Sequence, residues 1–184
     1  NMSNSTRQVT TAEQLAAMPD DGKRYELVEG VLQMMSPAGG RHGRIAAKLL
    51  VRLTVYAEEH GLGVTFAAET GFLLQRAPDT VRAPDVAYVS KDRLGELSDY
   101  PGFLPLSPDL VAEVVSPGDS SSEIEAKAQA WLAAGVRVVL VVDPQTASIR
   151  DYRSANRIRV YSDGRIDLDD VLPGFQLDVA ELLS

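Results

Sequence analysis

The chain has 184 residues, of which 45% are apolar and 24% charged, a composition ordinary for a globular domain with its own core. Its formal net charge of -8 argues against indiscriminate coating of nucleic acid, although a local basic surface remains compatible with it. The sequence contains no cysteine, which excludes disulfides and thiolate metal sites. The absence of cysteine fits a cytoplasmic protein, which is the location we expect. No apolar run is long enough to span a membrane, and the polar N-terminus has no apolar signal-peptide core.

The N-terminal segment predicts a short helix followed by a hairpin. The helix covers Thr11–Pro19 and ends at the proline, and the hairpin covers Arg24–Met35 with its turn at Glu29 and Gly30. We therefore expect residues 1–23 to form an N-terminal extension with a short helix, and residues 24–184 to form a single domain.

A long amphipathic helix is predicted over Arg41–Gly61, with the glycine as its end. The apolar residues that share one face of it are Ile45, Leu49, Leu53 and Tyr56. The basic residues that form one stripe along it are Arg41, Arg44, Lys48 and Arg52. This stripe is either a surface that tracks phosphates or, as most charge stripes are, a solvated helix face.

The remaining segments predict strands and a second helix. Strands are expected over residues 63–74 and 84–90, with a turn-rich connection at 75–83. The run from Leu110 to Val142 predicts a strand, a helix over Ser121–Gly135 and a second strand, and this unit implies a parallel pair. A strand meander follows it. The fold class is therefore α/β (α+β), with a mixed β-sheet core flanked by helices and with N-terminal and C-terminal β-hairpins.

Two acidic residues lie where the strand pattern predicts apolar ones. Glu113 lies within a strand on the same side as Val111 and Val115, and a buried carboxylate without a partner costs several kcal/mol. Asp85 opens another strand behind Pro84, which favours an extended chain. If these strands are neighbours, the two carboxylates reach one point and repel unless one is protonated or a cation lies between them. Carboxylate oxygens with open positions for water suit Mg²⁺ or Mn²⁺.

Lys127 lies on the apolar stripe of the second helix, three residues after Ile124, the first residue of that stripe. It therefore projects toward the sheet or along its edge, where a lysine needs an anion. An Asp, a Glu and a Lys that converge at a strand edge are the parts of a metal-dependent phosphodiesterase site. The carboxylates hold the metal, the metal activates water, and the lysine stabilises charge or orients the nucleophile.

Three motifs resemble those of the Uma2 family: PDV at Pro84–Val86, EVVSP at Glu113–Pro117, and Lys127 in a helix ahead of Ala134–Pro144. The segments YELVEGVLQMMSP and RHGRIAAKL are also similar to the family's N-terminal signatures, so the resemblance covers the chain from about Arg24 onward. Uma2 is a bacterial family described as restriction endonucleases, and also as a domain of unknown function, within the PD-(D/E)XK nuclease superfamily. The resemblance implies a restriction-endonuclease-like fold.

The resemblance also implies roles for particular residues. Asp85 and Glu113 are expected to be ligands of Mg²⁺ or Mn²⁺, and Lys127 is expected to be the catalytic lysine. The usual superfamily pattern places the lysine two residues after the second acid, where this chain has a valine, whereas the Uma2 pattern places it on the following helix. Glu29 and His42 fall at positions that the family tends to fill in the same way, and are candidates for an outer part of the site.

Each candidate also has a purely structural explanation. Asp85 alone is typical of a turn or a cap, and Glu113 could be a satisfied structural carboxylate, for example one paired with an arginine. Lys127 could pair with Glu123 one turn earlier on the helix. The alternation in the N-terminal hairpin places Glu26 and Glu29 on its solvent side.

Two apolar features carry expectations of their own. Trp131 is expected to be a core residue. The apolar loop Tyr100–Leu106 contributes either to a dimer contact or to the cover of the core.

The leading hypothesis is a Mg²⁺-dependent endonuclease that hydrolyses phosphodiester bonds in DNA and, by resemblance, acts as a homodimer without an organic cofactor. The first alternative is a catalytically silent member of the fold that serves as a binding or assembly module. The second alternative makes Asp85 and Glu113 an acid/base pair of the glycosidase type, but such clefts are usually rich in aromatic residues, and this chain has only 6%.

Overall fold

The computed structural model describes residues 8–184, so the first seven residues of the predicted N-terminal extension lie outside the described residues. The helices are α1 (Ala12–Ala16), α2 (Gly40–Glu59), α3 (Lys91–Leu94), α4 (Ser121–Ala133) and α5 (Val179–Leu183). The strands are β1 (Arg24–Val28), β2 (Val31–Met35), β3 (Gly63–Ala67), β4 (Phe72–Gln75), β5 (Thr80–Arg82), β6 (Val86–Ser90), β7 (Leu110–Val114), β8 (Val138–Asp143), β9 (Ser148–Ser154), β10 (Arg157–Tyr161), β11 (Arg165–Asp167) and β12 (Gln176–Asp178).

The centre of the fold is a six-stranded mixed sheet in the order β10-β9-β8-β7-β6-β3. Strands β7 and β8 are parallel and are joined through α4, whereas the other pairs are antiparallel. The predicted fold class is therefore confirmed, including the N-terminal hairpin β1–β2 and the C-terminal hairpin β9–β10. The strand that follows Asp85 does pair with the strand that carries Glu113.

Each face of this sheet is covered by one long helix. On one face α2 packs four fully buried residues against the strands: Ile45, Leu49, Leu53 and Ala57. The predicted face residue Tyr56 is only half-buried, and its hydroxyl donates to the backbone oxygen of Pro173. On the other face α4 packs Ala128 and Trp131 against the strands. Because both faces are covered, β7 and β8 are apolar on both sides, except at Glu113 in β7 and at Asp143, the last residue of β8.

A second sheet has four strands in the order β2-β1-β5-β4. Its strands show that two predictions from the sequence were wrong. The strand predicted over 63–74 is two strands in different sheets, and the predicted turn at 75–83 contains β5. The chain separates the two strands at Glu69, which has φ 75°, and at Gly71, where a Cβ would lie 2.5 Å from the ring of Phe103. A hydrophobicity pattern does not report such a close approach, so the sequence left this break unmarked.

The apolar loop Tyr100–Leu106 covers the core. Leu104 is 3% exposed, and its backbone exchanges hydrogen bonds with Gly71 and Leu73, at 3.0 and 2.8 Å. Of the two alternatives for this segment, the structure supports the cover of the core.

At the N-terminal end, α1 packs Ala12 into a small cluster with Leu27 and Val81. The backbone N–H of Ala12 donates to Asp79 Oδ2 at 2.8 Å.

The division of the chain at residue 24 stays a prediction. Among residues 8–184, none of the helices combines the length and the apolar character needed to cross a membrane.

Candidate active site

The register of β6 and β7 brings Asp85 and Glu113 to the same edge of the six-stranded sheet. Val86 pairs with Ala112, so the next step of the register places Asp85 opposite Glu113. Glu113 shares the α4 face of the sheet with Val111 and is 15% exposed, and Asp85 is also 15% exposed. The condition on which the sequence argument depended, that the two strands are neighbours, is thus met.

One oxygen of Asp85 is held from two directions. Its Oδ2 accepts a hydrogen bond from the backbone N–H of Val114 at 2.7 Å, which ties it to β7. The same oxygen lies 3.0 Å from Nε2 of His42, in the first turn of α2. His42 therefore belongs to the site, as the family resemblance implied.

One oxygen of Glu113 is likewise held by two side chains, both from α4. The indole N–H of Trp131 donates to Oε1 at 3.0 Å, and Nζ of Lys127 lies 3.3 Å from the same oxygen. Lys127 and Trp131 are four residues apart on one helix and so project from the same face. The cation that meets Glu113 is Lys127 and not an arginine, so Lys127 approaches Glu113 instead of Glu123. Oε1 of Glu113 is satisfied, as the structural alternative expects, whereas its Oε2 has no hydrogen-bond partner among the described residues.

Glu26 is a part of the site that the sequence analysis missed. It is 4% exposed, and its Oε2 accepts a hydrogen bond from the backbone N–H of Ala83 at 2.7 Å. Its Oε1 lies 3.8 Å from Arg82 Nη1 and 4.0 Å from Lys127 Nζ. The prediction that Glu26 faces solvent was wrong, because strand alternation shows which residues share a face but not whether water or protein covers it.

Glu29 does not join this cluster. It lies exposed in the β1–β2 turn with φ 48°, and its backbone N–H donates to Thr80 Oγ1. Of the two outer residues that the resemblance suggested, the structure brings only His42 to the site.

The surroundings of the two carboxyls shift their pKa values in opposite directions. Burial raises the pKa of Glu113 to about 7, against the charge of Lys127 and with further repulsion from Asp85 and Glu26. Burial also acts to raise the pKa of Asp85, but the hydrogen bonds from His42 and from the backbone N–H of Val114 outweigh it and bring that pKa below its ordinary value. Asp85 is therefore ionised at neutral pH, while Glu113 exchanges a proton near pH 7.

The basic groups of the site shift in the direction that keeps them charged. The hydrogen bond to Asp85 raises the pKa of His42. Burial acts to lower the pKa of Lys127, but the charges of Glu113, Glu26 and Asp85 outweigh it and raise that pKa. Lys127 is thus a cation between two buried acids.

The donor set fits a divalent metal ion that keeps part of its water. Within residues 8–184, Asp85 Oδ1 and Glu113 Oε2 have no hydrogen-bond partner in the protein. Both oxygens reach solvent, because in this range every side-chain oxygen of a buried or half-buried residue has a hydrogen-bond partner if it is sealed from solvent. In the same range, no three acidic or histidine side chains are grouped to hold an ion. A pair of carboxylates completed by water is a typical Mg²⁺ site, because Mg²⁺ releases its water reluctantly.

The basic residues of the α2 stripe form hydrogen bonds with other parts of the chain. Its members are Arg41, Arg44, Lys48 and Arg52. The first donates to the backbone oxygen of Pro144, and the other three contact Glu181 or Ser184 at the end of α5. These contacts engage the stripe from within the chain, but Arg41 and Arg44 are exposed, so both alternatives for the stripe stay predictions.

Comparison with known proteins agrees with the motifs. The profile of the Uma2 family, described as "Putative restriction endonuclease", matches residues 12–180, and the chain belongs to this family. The crystal structure of "a putative nuclease belonging to DUF820" from Anabaena variabilis superposes with a TM-score of 0.80 at 17% identity, over 94% of this chain and 97% of that one. At that identity the likeness concerns the fold. No curated protein matches the chain.

Proposed function

We propose that the protein is a divalent-metal-dependent endonuclease that hydrolyses phosphodiester bonds in DNA. The observation that carries the proposal is the convergence of Asp85 and Glu113 at one sheet edge, with Lys127 Nζ 3.3 Å from Glu113. Membership of a family described as restriction endonucleases supports the substrate class.

Asp85 and Glu113 would hold the metal ion, Mg²⁺ or Mn²⁺, through Asp85 Oδ1 and Glu113 Oε2. When bound, the ion polarises the phosphate and makes a water molecule more acidic. His42 and the backbone N–H of Val114 fix the Asp85 carboxylate by its other oxygen. Such outer partners orient ligating carboxylates in metal sites.

Lys127 is the charged group that would face the reacting phosphate. Its side chain is 26% exposed, so its ammonium can reach an anion at the mouth of the site while Glu113 and Glu26 hold it nearby. In this role Lys127 stabilises the negative charge that develops during hydrolysis or orients the attacking water. Arg82 lies 3.8 Å from Glu26 and balances the charge of that carboxylate.

We further propose a cytoplasmic homodimer; the dimer rests on the resemblance to restriction-type folds, which often pair two sites so that both strands are cut. Such a dimer converts supercoiled DNA to the linear form with little accumulation of nicked circles. A monomer produces nicked circles first.

The alternative is a catalytically silent binding or assembly module. Two observations favour it, the net charge of -8 and the engagement of the α2 basic stripe by the end of α5. A silent module keeps the fold but has no reason to bind a divalent cation through Asp85.

The experiment is cleavage of supercoiled plasmid by the full chain with Mg²⁺ or Mn²⁺, with EDTA, and with the Asp85→Asn variant. We expect metal-dependent cleavage that falls by about a thousandfold in Asp85→Asn, because metal assistance contributes several kcal/mol. Asp109→Asn is the matched control, since Asp109 is a buried acid at the opposite end of β7. Cleavage that persists in EDTA or in Asp85→Asn would contradict the proposal.

A further inference from the structure

Trp131 makes a contact that its place in the core does not require. It is the only tryptophan of the chain and is completely buried, packed with Val111, Val139, Val141 and Tyr152. A ring in such surroundings cannot turn without disturbing the packing. Its indole N–H nevertheless meets the carboxylate oxygen Glu113 Oε1, at 3.0 Å.

The two donors that meet Glu113 Oε1 differ in mobility. Lys127 is 26% exposed and has a long flexible side chain, so its ammonium has more freedom to shift between its acidic neighbours and an anion at the mouth of the site. The indole of Trp131 is fixed by its packing, and a buried indole N–H usually keeps a hydrogen-bond partner. Of the two donors, Trp131 is the one whose position the packing of the core fixes.

We propose that Trp131 is a positioning residue that holds the Glu113 carboxylate by Oε1 and so keeps Oε2 available to a divalent cation. The inference rests on the proposed function, because it assigns Trp131 a role toward the metal ion of that site. Outer hydrogen-bond partners of ligating carboxylates act in this way, and their loss weakens metal binding by about 10- to 100-fold.

The test is calorimetric titration of Mn²⁺ into the full chain and into Trp131→Phe. Phenylalanine keeps an aromatic ring in the core but deletes the N–H group. We expect the affinity to fall by about tenfold or more.

The matched control is Tyr152→Phe. Tyr152 is a fully buried member of the same cluster, and its hydroxyl donates to Glu125 of the same helix, away from Glu113. This variant also loses one hydrogen bond of α4, and we expect it to bind Mn²⁺ as the unmodified chain does. An equal loss of affinity in the two variants would indicate general loosening of α4 and would overturn the inference.

A second measurement needs no change in the core. Because Trp131 is the only tryptophan, its fluorescence reports on the surroundings of Glu113. We expect Mg²⁺ to change the emission of the unmodified chain with the midpoint seen by calorimetry, and to leave the emission of Asp85→Asn unchanged.

The outcomes separate this inference from the proposed function. Unchanged Mn²⁺ affinity in Trp131→Phe, or an emission that does not respond to Mg²⁺ at saturation, overturns the role of Trp131 alone. Absence of cation binding by the unmodified chain overturns that role and the metal-dependent activity together.

Discussion

The two ends of the β6–β7 pair both carry buried acidic residues, but only one end has the features of a site. At the end near Leu110, Asp109 is 2% exposed, lies 3.0 Å from Arg93 Nη1 and accepts the backbone N–H of Ser90 at 2.7 Å. One acid meets one cation there. At the opposite end, Asp85 and Glu113 gather with Glu26 around the cations of Lys127 and Arg82.

The difference shows that burial of an acid is not in itself a functional sign. Asp109 ties the segment that follows β6 to the start of β7, which is a structural role. The end with Asp85 and Glu113 brings two carboxylates opposite each other and leaves one oxygen of each without a protein partner. Two carboxylates that close repel unless a proton or a cation lies between them. We therefore assign the cation to this end.

After the loss of cleavage in Asp85→Asn, the largest effect is expected from removing the lysine of the functional end. Lys127→Met should lower the rate of DNA cleavage by about 100- to 1000-fold, the usual effect of losing one group that stabilises transition-state charge. The measurement is the single-turnover cleavage rate in Mg²⁺.

The matched change at the structural end is Arg93→Met. It leaves Asp109 buried without its cation and should lower the free energy of unfolding by about 1–3 kcal/mol, while cleavage by the folded protein stays as it was. If both variants lose cleavage to the same extent, the comparison between the two ends fails.

A smaller effect concerns pH and the carboxyl of Glu113. The pKa of this group rises from 4.5 to about 7 in the folded chain, mainly because of burial. Between these values the folded state binds more protons than the unfolded chain, so stability falls as pH rises through this window. Glu113→Gln removes this loss of stability. In EDTA, the free energy of unfolding of Glu113→Gln should therefore increase relative to that of the unmodified chain between pH 4 and pH 8, by up to about 3 kcal/mol.

Denaturant unfolding at several pH values in EDTA measures this difference. Two parallel stability profiles between pH 4 and 8 would show that Glu113 has no raised pKa. Added Mg²⁺ should reduce the difference at pH 8, since a cation balances the ionised carboxylate.

The smallest effect is expected at the α2 stripe. Lys48 and Arg52 contact Glu181 and Ser184, and the ion pair of Arg52 with Glu181 is substantially exposed. The double variant Lys48→Ala/Arg52→Ala should lower stability by less than about 1 kcal/mol and leave cleavage unchanged. Cleavage rates at low and raised salt check this, because a phosphate-binding stripe would give a variant with weaker, less salt-dependent activity.

The sequence predicted those parts of the molecule that depend on one strand or helix at a time. The hairpin β1–β2, the helices α2 and α4, and the parallel pair around Glu113 follow from periodicity and turn residues. The pairing of β6 with β7 could be stated only as a condition. The break between β3 and β4 depends on how closely Phe103 approaches Gly71, which no local pattern records.

The site was predictable where an acid or a base interrupts an apolar pattern, as Glu113 and Lys127 do. Glu26 was missed because its alternating strand is equally typical of a surface hairpin. The bond from Trp131 to Glu113 was missed because a tryptophan on an apolar stripe is ordinarily a core residue, and Trp131 is that as well. Family resemblance suggested His42, which contacts Asp85, but also Glu29, which lies in an exposed turn.

The most direct test of the metal site is calorimetric titration of Mn²⁺ into the unmodified chain, Asp85→Asn and Asp109→Asn at neutral pH. We predict that the unmodified chain and Asp109→Asn bind the ion with the same affinity, while Asp85→Asn binds it at least about tenfold more weakly. Equal binding by all three proteins, or binding by none, would contradict the assignment of a metal ion to the end of the sheet that carries Asp85 and Glu113.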